Sequence, residues 1–179
     1  SEASLLYTSG TTGYPKGCIL SHEYELMCGD SYRSLGAPVQ LRINQDRIFN
    51  PLPSFHINAG VLTFFASILT GNCLIQPARF SSSTWWEDIE KTKATVFHYL
   101  GVIIAVILKT KKETEADLSS VRVGLGAGVE PALHQEFEEH FQIPLIEVWG
   151  MTEMCRIIAV TEEPRLIHTR AMGRPRHNL

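Results

Sequence analysis

The chain lacks any apolar stretch of the roughly 20 residues that cross a bilayer, so no membrane span is expected. Its two longest, Ala59 to Leu69 (interrupted by Thr63 and Ser67) and Leu100 to Leu108, read as buried helices. It also lacks an excess of positive charge: 16 Lys and Arg stand against 19 Asp and Glu, for a formal charge of -3. That excludes a global basic field that would draw in nucleic acid or anionic lipid, and any polyanion must be met locally. Cys18, Cys28, Cys73 and Cys155 make no zinc or redox spacing, which predicts reduced thiols and a cytoplasmic setting. There is no repeat, no linker-like composition and no basic leader, and the start at Ser1 reads as a cut.

What remains is 179 residues, 44% hydrophobic and 20% charged, enough for one globular domain with its own core. The pattern predicts strands at Ser4–Thr8, Gly17–Leu20, Asp46–Asn50, Cys73–Gln76, Ala94–Tyr99, Val121–Leu125, Leu145–Val148 and Ile157–Val160. Helices are expected over His22–Leu35, capped by Ser21 with Glu23 and Glu25 in its first turn, and over Asn58–Leu69, Thr84–Thr92 and Gly101–Thr110. A last one starts at Pro131, with Leu133, Phe137 and Phe141 on one face. This alternation implies an α/β fold: a largely parallel sheet flanked by helices on both faces, with ligands at the carboxyl ends of its strands.

The densest chemical signal is Tyr7-Thr8-Ser9-Gly10-Thr11-Thr12-Gly13-Tyr14-Pro15-Lys16-Gly17, with four aliphatic hydroxyls, three glycines and one lysine. Glycines let backbone N–H groups approach an anion, hydroxyls add neutral donors, and Lys16 adds a mobile charge, a set that solvates polyphosphate. It is not a Walker loop, since Pro15 and Gly17 flank Lys16, and it leads into a strand, unlike a Rossmann fingerprint. Small residues Gly126, Ala127 and Gly128 close a buried strand, which leaves either room for a flat ring or a helix-to-sheet packing site. Trp149 offers a stacking face. Thr152 can donate to a phosphate oxygen, and Glu153 is a hard oxygen ligand of the kind Mg²⁺ takes singly. His56 is on its own either a solvated loop histidine or a pocket wall.

The loop resembles the phosphate-loop signature of the adenylate-forming superfamily of acyl-CoA synthetases, luciferases and peptide-synthetase adenylation domains. Pro51-Leu52-Pro53-Ser54-Phe55-His56-Ile57-Asn58-Ala59-Gly60, Gly124-Leu125-Gly126-Ala127-Gly128 and Trp149-Gly150-Met151-Thr152-Glu153 are similar to further family motifs, in family order. The resemblance implies ATP-dependent activation of a small-molecule carboxylate to an acyl-adenylate, then thioester formation with coenzyme A as co-substrate. It implies that Thr8, Ser9, Gly10, Thr11, Thr12, Gly13 and Lys16 hold the ATP phosphates, with Lys16, Thr152 and Glu153 catalytic and Glu153 on the magnesium. It places adenine against Gly126, Ala127, Gly128, Glu147, Val148, Trp149, Gly150 and Thr152, and the acyl group against His56, Asn58, Val61 and Val148.

Val148 stands where relatives with bulky substrates often have Gly, which predicts a short or medium acid. Trp85-Trp86 and the Trp149 motif are similar to the crotonobetaine/carnitine CoA ligase branch. Residues 1–179 then correspond to the central ATP- and acyl-binding portion of a larger enzyme. The family's Thr-Gly-Asp motif, hinge Arg and lysine-bearing C-terminal lid are not matched in the sequence. The 179 residues alone are expected to bind ATP weakly without turnover and to self-associate through apolar surface. Arg165, Arg170, Arg174 and Arg176 are expected to lie exposed, awaiting partners elsewhere in the parent. A non-catalytic nucleotide- or acyl-binding module, and an amino-acid-activating or luciferase-like member, are the alternatives.

Overall fold

In the computed structural model, residues 1–10, 13–110, 113–159, 161 and 163–175 are described. Thr11, Thr12 and Arg176 of the expected sites fall outside them. The chain opens with an antiparallel hairpin of β1 (Glu2–Thr8) and β2 (Lys16–Ser21), followed by helix α1 (His22–Arg33). Ser21 caps α1 as expected, its side chain accepting from the Tyr24 amide at 3.1 Å.

The main sheet runs β4 (Cys73–Ile75), β3 (Arg47–Phe49), β5 (Val96–Leu100), β6 (Val123–Ala127), β7 (Leu145–Met151), β8 (Cys155–Ala159) and β9 (Arg174–Pro175). From β4 to β7 the pairing is parallel, while β8 and β9 add an antiparallel edge. Helices α2 (Phe64–Thr70), α3 (Trp85–Thr92), α4 (Gly101–Thr110) and α5 (Pro131–Phe141) complete the layers with α1.

Alternating side chains divide the core between the two sheet faces. Ile48, Val96, Val123, Leu125 and Ile146 pack with Cys28 and Tyr32 of α1 and Ala66 of α2. Phe49, Phe97, Tyr99 and Leu145 pack with Trp85 and Ile89 of α3, Ile104 and Ile107 of α4 and Phe137 of α5. Trp85 and Trp86 are thus core residues, 1% and 3% exposed. Among the described residues no helix is long and apolar enough to cross a membrane.

Among the differences from expectation, three lie next to the cavities described below. β6 runs on through Gly126 to Ala127, because Phe97 and Tyr99 of β5 fill the space that side chains at Gly124 and Gly126 would need. β7 continues through Trp149 and Gly150 to Met151, drawn out by its antiparallel partner β8. The single helix expected from Asn58 is a π-helical segment, Asn58–Thr63, followed by α2. There Thr63 Oγ1 donates to the Asn58 carbonyl at 2.8 Å and accepts from buried Asn50 Nδ2 at 2.9 Å, which supports the wider turn.

Candidate functional site

Two cavities open at the carboxyl ends of β5, β6 and β7, where an open parallel sheet presents ligand sites. The first, about 300 Å³, is walled by Ala127, Gly128, Val129, His134, Glu147, Val148 and Trp149 from the sheet side and by Leu166, Ile167, Thr169, Arg170, Ala171 and Met172 from a later loop. The second, about 460 Å³, is mostly apolar, with Leu52, Pro53, Phe55, His56, Ile57, Asn58, Leu62, Leu100, Gly150, Met151 and Cys155. Ala127 and Val148 line both, so the two spaces share a wall.

Glu147 is the polar centre of the first cavity. Its Oε1 accepts from Tyr99 Oη and its Oε2 from the Gly128 amide, each at 2.8 Å. Burial raises its pKa above the usual carboxylate range, against the lowering effect of these two bonds. The same burial, with the Glu147 charge beside it, pushes the Tyr99 hydroxyl well above its ordinary value. Gly128 stands at φ +75°, a conformation that favours glycine and lets its N–H turn back toward Glu147.

Ala127, Gly128, Glu147, Val148 and Trp149 are therefore brought together in the first cavity. Gly126 is not among them: a Cβ there would meet the Tyr99 carbonyl and, at 2.5 Å, its ring, so this glycine serves sheet packing. Gly150 belongs to the second cavity, together with His56, Asn58 and Val148. Val61 does not; at 4% exposure it sits in the core beneath α1, and Leu62 faces the cavity in its place. Asn58 contributes its Oδ1 to Asn50 at 2.9 Å, and the ring of Phe55 stands 81% exposed at the rim.

The phosphate-type loop is carried by the separate β1–β2 hairpin. Thr8 and Lys16 are register partners at its loop end, with Ser9, Gly10 and Gly13 beyond, and none of them lines either cavity. Gly10 has φ +44°, and a Cβ there would lie 2.7 Å from the Tyr14 carbonyl. Thr152 and Glu153 form the tight turn from β7 to β8 rather than lining a cavity. That turn is tied to α1 by Tyr24 Oη, which donates to the Thr152 carbonyl at 2.6 Å. Burial and the nearby Glu153 charge raise the Cys18 thiol on β2, and Glu153 itself is exposed. Among the described residues no group of three or more His, Cys, Asp or Glu could hold a metal ion. A lone carboxylate still suits Mg²⁺, which completes its shell with water and substrate phosphates.

Tyr99, His134 and Glu138 were missed in the sequence. A tyrosine in a fully buried strand needs a partner for its hydroxyl, which is the unused signal that would have found Tyr99. The arginines also differ from expectation: Arg165 pairs with Glu138 at 2.6 Å and Arg170 with Glu130 at 2.5 Å, acids already in this chain.

Fold and cavities together define an adenylate-forming type of enzyme domain. The AMP-binding enzyme family matches residues 1–179, and the chain belongs to that family. It is 35% identical to the sulfoacetate–CoA ligase of Cupriavidus necator over 155 residues, covering 84% of this chain and 29% of that protein. It is 33% identical to the very long-chain fatty acid transport protein of Saccharomyces cerevisiae over 154 residues, 83% of this chain and 22% of that one. The O-succinylbenzoate coenzyme A synthetase of Bacillus subtilis, solved in complex with AMP, superposes with TM-score 0.80 at 28% identity, covering 98% of this chain and 35% of that one. The same enzyme has been solved with ATP and magnesium ion. The chain thus spans less than a third of the length of these curated relatives.

Proposed function

We propose that the protein activates a small-molecule carboxylate with ATP and transfers the acyl group to the thiol of coenzyme A. The shared wall carries this reading: with the nucleotide beside Trp149 and the acid in the apolar cavity, the two reactants meet at Ala127 and Val148. A carboxylate oxygen attacks the α-phosphorus, the bond to the bridging oxygen breaks, and pyrophosphate leaves. The thiolate sulfur then attacks the acyl carbon and AMP departs.

A carboxylate is a nucleophile without a base, so the residues need only neutralise charge and align two anions. Lys16, the hydroxyls and amides of residues 8–13, and Thr152 fit that role. Glu153 would hold Mg²⁺, which supplies charge neutralisation on the phosphates. The family membership and the ligase relatives support this reading.

Carboxylate-dependent exchange of labelled pyrophosphate into ATP, measured on the protein at its native length, tests the first step. Absence of exchange across aliphatic and aromatic acids would overturn the proposal. Release of AMP that depends on coenzyme A tests the second step, and exchange without it would leave adenylation but reject the thioester. For the 179 residues alone we expect nucleotide binding without turnover. Val148→Gly should shift preference toward longer acids, by about 10-fold in relative kcat/KM for each methylene newly accommodated. An unchanged ratio would mean that Val148 does not limit the pocket.

A further inference from the structure

We propose that Arg165 and Glu138 form a clasp that holds residues 163–172 in place as one wall of the first cavity, which makes Arg165 a positioning residue for the nucleotide. What fills the cavity rests on the function proposed above; the clasp itself rests on geometry. Six of the residues lining that cavity, Leu166, Ile167, Thr169, Arg170, Ala171 and Met172, come from this segment. It contains no helix or strand, so no backbone ladder fixes it.

Arg165 supplies the missing attachment. Its Nη1 donates to Glu138 Oε1 at 2.6 Å and its Nη2 to Oε2 at 2.9 Å, the two-pronged geometry that fixes direction as well as distance. The receiving carboxylate is itself anchored: Oε1 accepts from the Leu145 amide at 2.7 Å and lies 3.0 Å from His134 Nε2. The clasp therefore joins the loop to α5 and to the first residue of β7. His134, on the same α5 turn, lines the cavity, while Arg165 does not. Arg165 and Glu138 are 17% and 15% exposed, so their pairing is shielded from water. The second tie, Arg170 to Glu130, is open to solvent at both ends and should contribute little.

Arg165→Ala removes the clasp and leaves the Glu138 bonds to Leu145 and His134 intact. Hydrogen exchange in residues 163–172 should then rise about 10-fold, while residues 52–62, which line the other cavity, keep their protection. AMP should bind about 10-fold more weakly, equivalent to about 1.4 kcal/mol. Arg165→Lys, with a single charged head, should recover part of both effects, and Arg33→Ala, which breaks an exposed pair with Asp30 and lines neither cavity, should change AMP binding less than about twofold.

Unchanged exchange in 163–172 overturns the clasp. So does a rise shared equally with 52–62, which would mean general loosening. Raised exchange with unaltered AMP affinity overturns the positioning role. Wild-type protein that binds no AMP sinks the proposed function instead, and the exchange measurement still decides the clasp.

Discussion

Two carboxylates at opposite ends of the parallel sheet live under opposite rules. Asp46, just before β3, has a side chain that is 0% exposed and receives donors from every side. Arg42 gives its backbone N–H, Nε and Nη2, Arg122 its Nε and Nη2, and Thr95 its hydroxyl, all at 2.6–3.1 Å. Burial opposes ionisation there, yet these donors prevail and lower the pKa to about 2. Glu147, toward the carboxyl end, is met by the neutral Tyr99 hydroxyl and by backbone amides, and burial prevails. The amino end is satisfied internally and holds β3, β5 and β6 together, whereas at the carboxyl end Glu147 lines the first cavity.

The largest effect should come from breaking the satisfied end. Asp46→Ala leaves two arginines without their shared acceptor and should cost about 3–5 kcal/mol in urea melts, while AMP affinity of the folded fraction stays unchanged. The wild type should show the matching acid limb. Asp46 and Glu138 both have pKa values lowered to about 2, Glu138 through His134, Arg165 and the Leu145 amide against the cost of burial. Their stabilisation is present above the ordinary carboxylate range and is lost as pH falls from about 4 toward 2. A melt series across that range that stayed flat would contradict the ionised network.

Lys16→Ala should do the reverse. Lys16 is exposed at the hairpin end, so melting should be unaffected, whereas pyrophosphate exchange should fall by about 10²–10³. A Lys16→Ala protein that exchanges pyrophosphate at the wild-type rate removes the hairpin from the phosphate site. The two variants together ask whether stability and ligand chemistry really occupy separate ends.

Within the carboxyl end, neighbouring glycines should also separate. Gly126→Ala drives a methyl into Tyr99 and should cost about 1–3 kcal/mol of stability. Gly128→Ala meets nothing within 4 Å and carries only the penalty of φ +75°, about 1–2 kcal/mol. Urea midpoints in the opposite order would return Gly126 to the cavity lining.

Those glycines show where the sequence was readable. Hydrophobic periodicity located nearly every strand and helix, because each element buries one face and the pattern is local. Gly126 looked like the end of a strand, since only its distant neighbour Tyr99 makes glycine a fitting strand residue there. Val61 and Leu62 are adjacent apolar residues; the π-helical turn, set by Asn50 and Thr63, decides which of them faces the cavity. The motif residues Glu147 to Trp149 were legible because they are contiguous. The pairing of Arg165 with Glu138 was not, because it joins positions 27 apart whose charges carry no mark of their partner.

The smallest predicted effect is the sharpest test of the contrast between the two carboxylates. Glu147 has a raised pKa in the folded chain, so at neutral pH folding must either keep a buried charge or take up a proton. Its contribution is therefore unfavourable above its folded pKa and disappears below the ordinary Glu value of about 4.3. Glu147→Gln keeps the shape: the amide oxygen can accept from the Gly128 N–H while the amide nitrogen donates to Tyr99 Oη. The variant should match the wild type near pH 4 and become more stable by up to about 1 kcal/mol as pH rises. Asp46→Asn should run the other way in its own window, falling further behind the wild type as pH rises from about 2 to 4 and keeping a level deficit above that, since Asp46 stabilises only when ionised. If both substitutions tilt the stability curve in the same direction, the two ends of the sheet do not differ in the way their hydrogen bonds indicate.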